Sequence, residues 1–449
     1  MIPLRETRHE QIIMAVFIAA IGALPFVAVF SHRAAAVLVL AMGLAAGTRL
    51  EPWRKGSRTY LLGPDLSQPL VLGVASFLLF CLWIFASSYW SPQAGSAKLA
   101  LNVLAPVIGS GVIIWEVSRR TAERTYRLAK VFAYAVLISL ALLIFEIVTG
   151  GPIRDIVPPR DLSPERFKDM TALGRGSTLV MFAAFPAWLI LVRRFEHAEK
   201  DIGQRRAKFL RYSAPIVLSM LIIYAALRLG IFSNAAGVVV GGVAAFAASR
   251  APKTTLWTLL WAILICLSAA PLAAWLPVEA ITTALGEDLP VSWAQRLYAW
   301  RAAAQAGFGC MPFGCGVDAA RALHATGTAI DLAGSPIAVS LMPIHPHNIF
   351  LQIWMELGAA GVVLFGLALF GAGLALIRAS LPAAVAAGAA GAIGAILVSA
   401  MVEASLWQVW RLSAAGLAGL GVALSYSFNL KEVEWGHRGI AARSHRSGR

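Results

Sequence analysis

The amino-acid sequence predicts an all-α polytopic membrane protein of about twelve transmembrane helices with one large extramembrane loop that contains short helices. Two observations carry this. Of its 449 residues, 59% are hydrophobic and only 14% charged, with a mean hydropathy of +0.72, whereas charged residues make up roughly a quarter of an ordinary soluble domain. The apolar residues also fall in runs of roughly 20, the length that crosses a bilayer as a helix, separated by short basic segments.

The spans read as 11–30, 34–49, 69–88, 99–117, 128–149, 172–192, 212–229, 231–249, 254–275, 350–377, 381–402 and 405–428. The first run, Ile12 to Phe30, lacks a small-residue cleavage site and is followed at once by another, so it reads as a span rather than a cleavable signal. With the N-terminus placed inside, the inner segments hold 26 of the 38 Lys and Arg residues. The opposite orientation inverts that ratio against the positive-inside tendency, so both termini are expected in the cytoplasm. The net charge of +15 then reads as topology and contact with anionic membrane lipids, with no nucleic-acid partner.

The chain divides into helices 1–9 over residues 1–275, a large outer loop over 276–347, helices 10–12 over 348–430, and a basic cytoplasmic tail over 431–449. A second outer loop, 150–171, is rich in Pro and charge. Long loops in compact proteins are functional or disordered. The mixed aromatic and Arg content of Trp293 to Arg301, at helical spacing, favours order in the larger one. Gly237, Gly241 and Gly242, and Gly388, Gly391 and Gly394, suit close helix packing through small residues. No internal repeat suggests a transporter of inverted halves.

Phosphate-loop and nucleophile-elbow motifs are absent. Glu279, Glu287 and Asp288 read as solvated loop acids. His345 and His347 make a poor zinc pair, because only His324 and Asp331 lie near enough in sequence to complete a ligand set; no metal or cofactor is expected. Cys81 and Cys266 sit in apolar spans as small hydrophobes. Cys310 and Cys315, in the large loop, are equally compatible with a disulfide and with two free thiols.

Two imidazoles at the mouth of an apolar helix, in His345-Pro346-His347-Asn348, are the most informative feature, because ionisable groups at a membrane boundary are costly. Asn348 suits the cap of the helix that follows. Arg175, between Gly174 and Gly176, and Arg228 stand at outer span ends; Arg296, Arg301 and Arg321 lie in the loop. Any one of these could be an interfacial anchor. Several sharing one membrane face with a His point to an anionic, lipid-linked ligand, for which guanidinium geometry suits a diphosphate. Arg296 and Arg301, five residues apart, diverge on a helix by roughly 140°.

These residues carry a family resemblance. The chain resembles the O-antigen ligase and O-antigen polymerase superfamily, whose ligases have a His followed by Asn, Ser or Gln, nine residues, and Gly-x-x-Gly after the large periplasmic loop. Here His347-Asn348 precedes nine residues, then Gly358 and Gly361. Val362 and Val363 stand where some ligases have Thr. LGRGSTLVMFAAFPAW around Arg175 and WAQRLYAWRAAAQAGFGCMPFGCGVDAARA around Arg296, Arg301 and Arg321 resemble the same group, although its cysteines depart from the pattern. The likeness extends over most of residues 10–430.

The resemblance implies a GT-C-like fold in a bacterial inner membrane, with a metal-independent, inverting active site facing the periplasm. His347 would be the general base. Arg175, Arg296 and Arg301 would hold the diphosphate of an undecaprenyl-diphosphate-linked glycan donor, with His345, Asn348, Arg228 and Arg321 in support. The acceptor would be lipid A–core for a ligase, or a growing polysaccharide for a polymerase; protein O-glycosylation is a variant. A lipid-linked sugar transporter is the third alternative, against which the candidate charges Glu146 and Glu403 lie near span ends rather than mid-span.

Overall fold

The computed structural model describes residues 7–48, 67–156, 171–197 and 203–444. It is 80% helical, and ten of its helices are long and apolar enough to cross a membrane. The protein is an all-α polytopic membrane protein. Most of the outer loop expected at 150–171, the basic segment 49–58 and the last residues of the tail lie outside the described residues.

Helices α1 (Arg8–Gly22) and α2 (Leu24–Val29) make the first span, broken at Ala23 where Pro25 begins a new first turn. Thr7 and Glu10 close a capping box at its start, satisfying two amides that have no helical partner. Then come α3 (Ala34–Gly47), α4 (Ser67–Ser87), α5 (Lys98–Ser118), α6 (Ala122–Thr149) and the single turn α7 (Pro152–Asp155). Helix α3 has 14 residues, about 21 Å of rise, short for a bilayer core. Next are α8 (Thr171–His197), α9 (Gln204–Arg228), α10 (Phe232–Arg250) and α11 (Pro252–Ala269).

Helix α8 is the axis of the bundle: 83% of its apolar stretch is buried, more than any other candidate span among the described residues. Its small residues allow this. A Cβ at Gly176 would stand 1.8 Å from the Ala28 carbonyl, so α8 and α2 touch backbone to backbone. The expected small-residue interface is also present. A Cβ at Gly391 or Gly241 would strike the Phe185 ring, and one at Gly394 would sit 3.2 Å from Gly241 Cα. Gly242 meets nothing within 4 Å and lies on the open side. Large apolar side chains such as Leu82, Val243 and Phe246 are exposed on the outer faces, an arrangement suited to lipid.

The segment expected as one large loop is ordered. It holds α12 (Val278–Leu285), α13 (Val291–Gly309), α14 (Ala319–Ala325) and two short antiparallel strands, β1 (Ala329–Ile330) and β2 (Val339–Ser340). The aromatic stretch Trp293 to Arg301 lies inside α13. Helices α15 (Ile349–Arg378), α16 (Ala383–Val402) and α17 (Val409–Ser444) complete the chain. The last runs past 430 without a break.

Helix α15 is kinked at Gly358, which has φ 65° inside an otherwise regular helix. The kink frees carbonyls, and neighbouring donors take them. Met355 receives the Cys315 amide at 2.9 Å, Glu356 that of Gly316 at 3.0 Å, and Leu357 the Trp83 indole at 2.9 Å. In return the Ala359 amide donates to Pro312 at 2.9 Å. Cys310 and Cys315 form a disulfide that closes this docked loop. Gly358 is required: a Cβ there would lie 2.4 Å from Gly314 N and from Pro312 O. The spacing from His347 to Gly358 therefore sets how far below the imidazoles the loop seats.

Candidate active site

The His345-Pro346-His347 turn sits at the N-terminus of α15, and three contacts shape it. Asn348 caps the helix, its Oδ1 accepting from the amides of Phe350 at 3.0 Å and Leu351 at 3.1 Å. The Trp300 indole on α13 donates to the Pro346 carbonyl at 2.9 Å. His347 itself has φ 55°, an uncommon, strained conformation for a non-glycine residue that surrounding contacts must hold. The two imidazoles then lie with centroids 4.3 Å apart.

The 403–411 segment faces this turn. His347 Nδ1 lies 3.3 Å from the Glu403 carbonyl oxygen. A carbonyl only accepts, so Nδ1 carries the hydrogen and Nε2 carries the lone pair. The Glu403 side chain turns the other way: its Oε1 accepts from Arg411 Nη2 at 2.8 Å and its Oε2 from the Ser233 hydroxyl at 2.7 Å. Arg411 also donates to Gln408 at 2.7 Å and to the Ser399 hydroxyl, and its guanidinium lies 4.6 Å from the Trp410 ring centre. Its side chain is 6% exposed.

Electrostatics follow from this arrangement. Burial pushes the His347 imidazole down to about 4, aided by the charge of Arg296 and opposed by Glu403. Burial, with the charges of His347 and Arg411, pushes His345 down to about 3. Burial acts to raise the Glu403 carboxyl, yet Arg411, Ser233 and Arg296 outweigh it and hold it below its ordinary value. Both imidazoles are thus neutral beside an ionised carboxylate and two guanidiniums. Arg296 Nε is buried and has no hydrogen-bond partner, a donor waiting for an acceptor.

A second group adjoins the first. His32, between α2 and α3, packs edge-on against Trp410 with centroids 4.8 Å apart. It is 7% exposed and neither ring nitrogen has a partner. Burial pushes it down to about 3, and Arg175, Arg33, Arg411 and Arg154 reinforce that. Arg175 thus shares an electrostatic neighbourhood with Arg411, which also acts on His345 and His347.

The other expected site residues are placed differently. Arg301 makes a two-pronged ion pair with Glu279 of α12, diverging from Arg296 as helical spacing requires. Arg228 ends α9 and is exposed. Arg321 pairs through Nε with Asp318 at 2.8 Å and acts electrostatically on His345. His324 is tied to the Met342 carbonyl at 2.9 Å, and among the described residues no three His, Cys, Asp or Glu side chains group for a metal.

Sequence reasoning did not group Arg411, His32 or Glu356 with the site, and weighed Glu403 only as a transporter charge. Glu356 is fully buried and accepts from the Asp318 amide at 2.8 Å, the Trp407 indole at 2.8 Å, Gln352 at 3.2 Å and the Ala320 amide at 3.4 Å. It clamps the 316–320 turn and the 403–411 segment to α15. An ionisable residue within or at the end of an apolar run was the available signal for all four.

These features define the class: a polytopic helical membrane protein with a buried His–Glu–Arg cluster at one end of its bundle. No protein-family model matches the chain, and no curated protein matches it.

Proposed function

We propose that the protein is a GT-C-like membrane glycosyltransferase that moves a glycan from undecaprenyl diphosphate to a sugar hydroxyl, as an O-antigen ligase acting on lipid A–core. The observation that carries this reading is the His347–Glu403 contact, which leaves a neutral imidazole with its Nε2 lone pair available. The acceptor hydroxyl gives its proton to Nε2 as its oxygen attacks the anomeric carbon. The bond from that carbon to the diphosphate oxygen breaks, and its electron pair leaves with the diphosphate. Attack from the opposite side inverts the centre.

Arg296, with its unpartnered Nε, and Arg175 carry the charge of the leaving group. Burial is the main cause that depresses His347 and the guanidinium charges add to it; a bound diphosphate offsets those charges, so the imidazole regains part of its basicity when donor is present. Arg301, held by Glu279, has a smaller part.

The same reading places the site on the periplasmic face of a bacterial inner membrane with both termini cytoplasmic. The Lys and Arg distribution supports this orientation. So does the Cys310–Cys315 disulfide, since disulfides persist in oxidising compartments. A polymerase of the same superfamily shares every donor-side feature and differs in its acceptor. A transporter is disfavoured: Glu146 is committed to the Ile153 and Arg154 amides, at 2.8 and 3.1 Å, and Glu403 to Arg411 and Ser233.

Deleting the gene in its host and complementing with wild type or His347→Ala, with lipopolysaccharide resolved on a gel, tests the proposal. A ligase loses the polymer ladder, keeps complete lipid A–core and accumulates lipid-linked polymer. Accumulated single repeat units indicate the polymerase. Full activity of His347→Ala rejects the general-base role.

A further inference from the structure

A cavity of about 360 Å³ is lined by Gln93, Ser96, Lys98, Leu99, Asp318 and Arg321, together with Ala94 and Gly95. One wall is the loop leading into α5 and that helix's first turn; the other is the turn 316–321. The walls are fastened together. The Ser91 hydroxyl donates to the Val317 carbonyl at 2.6 Å, and the Trp90 indole to the Gly314 carbonyl at 3.0 Å. Gly316 lets them meet, since a Cβ there would stand 2.5 Å from Ser91 Cα. The cavity is therefore preformed, and its volume suits one sugar-sized group.

Its lining favours an anion. Asp318 is paired with Arg321 through Nε at 2.8 Å, which leaves the two terminal guanidinium nitrogens for a ligand. Lys98 then brings an uncompensated positive charge, and the start of a 21-residue helix adds the positive end of its dipole. Ser96 is 4% exposed, and its hydroxyl is buried without a hydrogen-bond partner. A buried orphan hydroxyl in the wall of a cationic cavity calls for an acceptor.

The cavity is also coupled to the histidines. The Asp318 amide binds Glu356, which binds Trp407 of the segment that presents Glu403, and Arg321 acts on His345. We infer that this cavity is a subsite for an anionic sugar substituent, a phosphomonoester or carboxylate, of the acceptor glycan, seated by Lys98, Arg321 and Ser96. This rests on the glycosyltransferase reading for the word acceptor; the anion site itself does not.

The test uses the full-length protein in phosphatidylcholine nanodiscs, titrated calorimetrically with glucose 6-phosphate and with glucose. Saturable binding of the phosphate ester and none of glucose is expected. Lys98→Gln and Arg321→Gln should each weaken binding about tenfold, the loss expected for one charged contact. Ser96→Ala, which preserves the fold most closely, should weaken it severalfold. Equal binding of glucose, or unchanged binding in all three variants, overturns the site.

Because no turnover is read, this result is separate from the fate of His347 as a base. A second arm assigns the ligand's source. Undecaprenyl diphosphate carried in the nanodisc should leave glucose 6-phosphate binding unchanged, and exchanging a third of the lipid for phosphatidylglycerol should as well. Competition by either would give the cavity to the donor diphosphate or to a lipid headgroup and overturn its assignment to the acceptor.

Discussion

Arg411 and Glu403 form a buried ion pair at 2.8 Å, and the backbone of that same glutamate receives the imidazole of His347 at 3.3 Å. The pair thereby orients the candidate base through the main chain. Its side chains are 6% and 14% exposed, so each charge depends on the other.

Glu403→Gln should therefore cost about 3–5 kcal/mol of stability, because it strands Arg411 in an apolar setting. The double variant Glu403→Gln/Arg411→Met should lose less than the single one. Thermal unfolding of the three proteins in detergent reads this coupling. Additive losses would show that the two side chains act independently.

The pH response has a definite sign. His347 and His345 are held down to about 4 and about 3, below the ordinary imidazole value near 6.5. The unfolded chain therefore takes up protons first as pH falls. The stability they contribute is complete above pH 6.5 and is lost progressively toward pH 4 and 3. In the same range kcat/KM should hold steady from pH 7 to 5 and fall near 4. A titration limb near 6.5 in the free enzyme would count against a buried, neutral His347.

Gly358→Ala should dislodge the disulfide-closed loop. The substitution forces a Cβ to 2.4 Å from two backbone atoms and demands φ 65° of an alanine. A loss of about 1–3 kcal/mol follows, together with faster proteolysis within 310–316. Gly242→Ala, with nothing within 4 Å, should change neither.

Arg296 and Arg301 should separate by function. Arg296→Gln removes the unpartnered buried donor beside His347 and should raise the donor KM at least tenfold. Arg301→Gln breaks only its pairing with Glu279 and should change the donor KM less than threefold. Steady-state kinetics with a lipid-linked donor distinguishes them, and equal effects would restore Arg301 to the diphosphate site.

His32→Phe should raise Tm. Two buried ring nitrogens without partners cost about 1–3 kcal/mol, and an aromatic replacement keeps the edge-on contact with Trp410. A drop in Tm would mean that the imidazole is bonded in the folded protein.

Helix type and the positions of ten of the twelve expected spans were legible because a bilayer imposes a length and a polarity on each segment, and residues at 350–377 or 381–402 satisfy both locally. The small-residue packing of Gly241 against Gly391 was legible for the same reason. The loop over 276–347 showed its helix at Trp293 to Arg301, but its docking onto Gly358 depends on backbone groups, which leave no trace in side-chain pattern.

For the candidate site, residue chemistry and order along the chain already singled out His347, the cap at Asn348 and a set of span-end and loop arginines; of these the cap is seen directly. Which arginine keeps an unpartnered nitrogen could not be read from the chain, because Arg296 and Arg301 carry the same group, and their difference arises from a distant residue, Glu279, that captures one of them. The tautomer of His347, the charge balance of Glu403 with Arg411, and the enclosure of His32 all arise between residues tens to hundreds of positions apart. Local composition places an ionisable side chain at the end of an apolar helix; long-range packing decides which lone pair or proton it presents there.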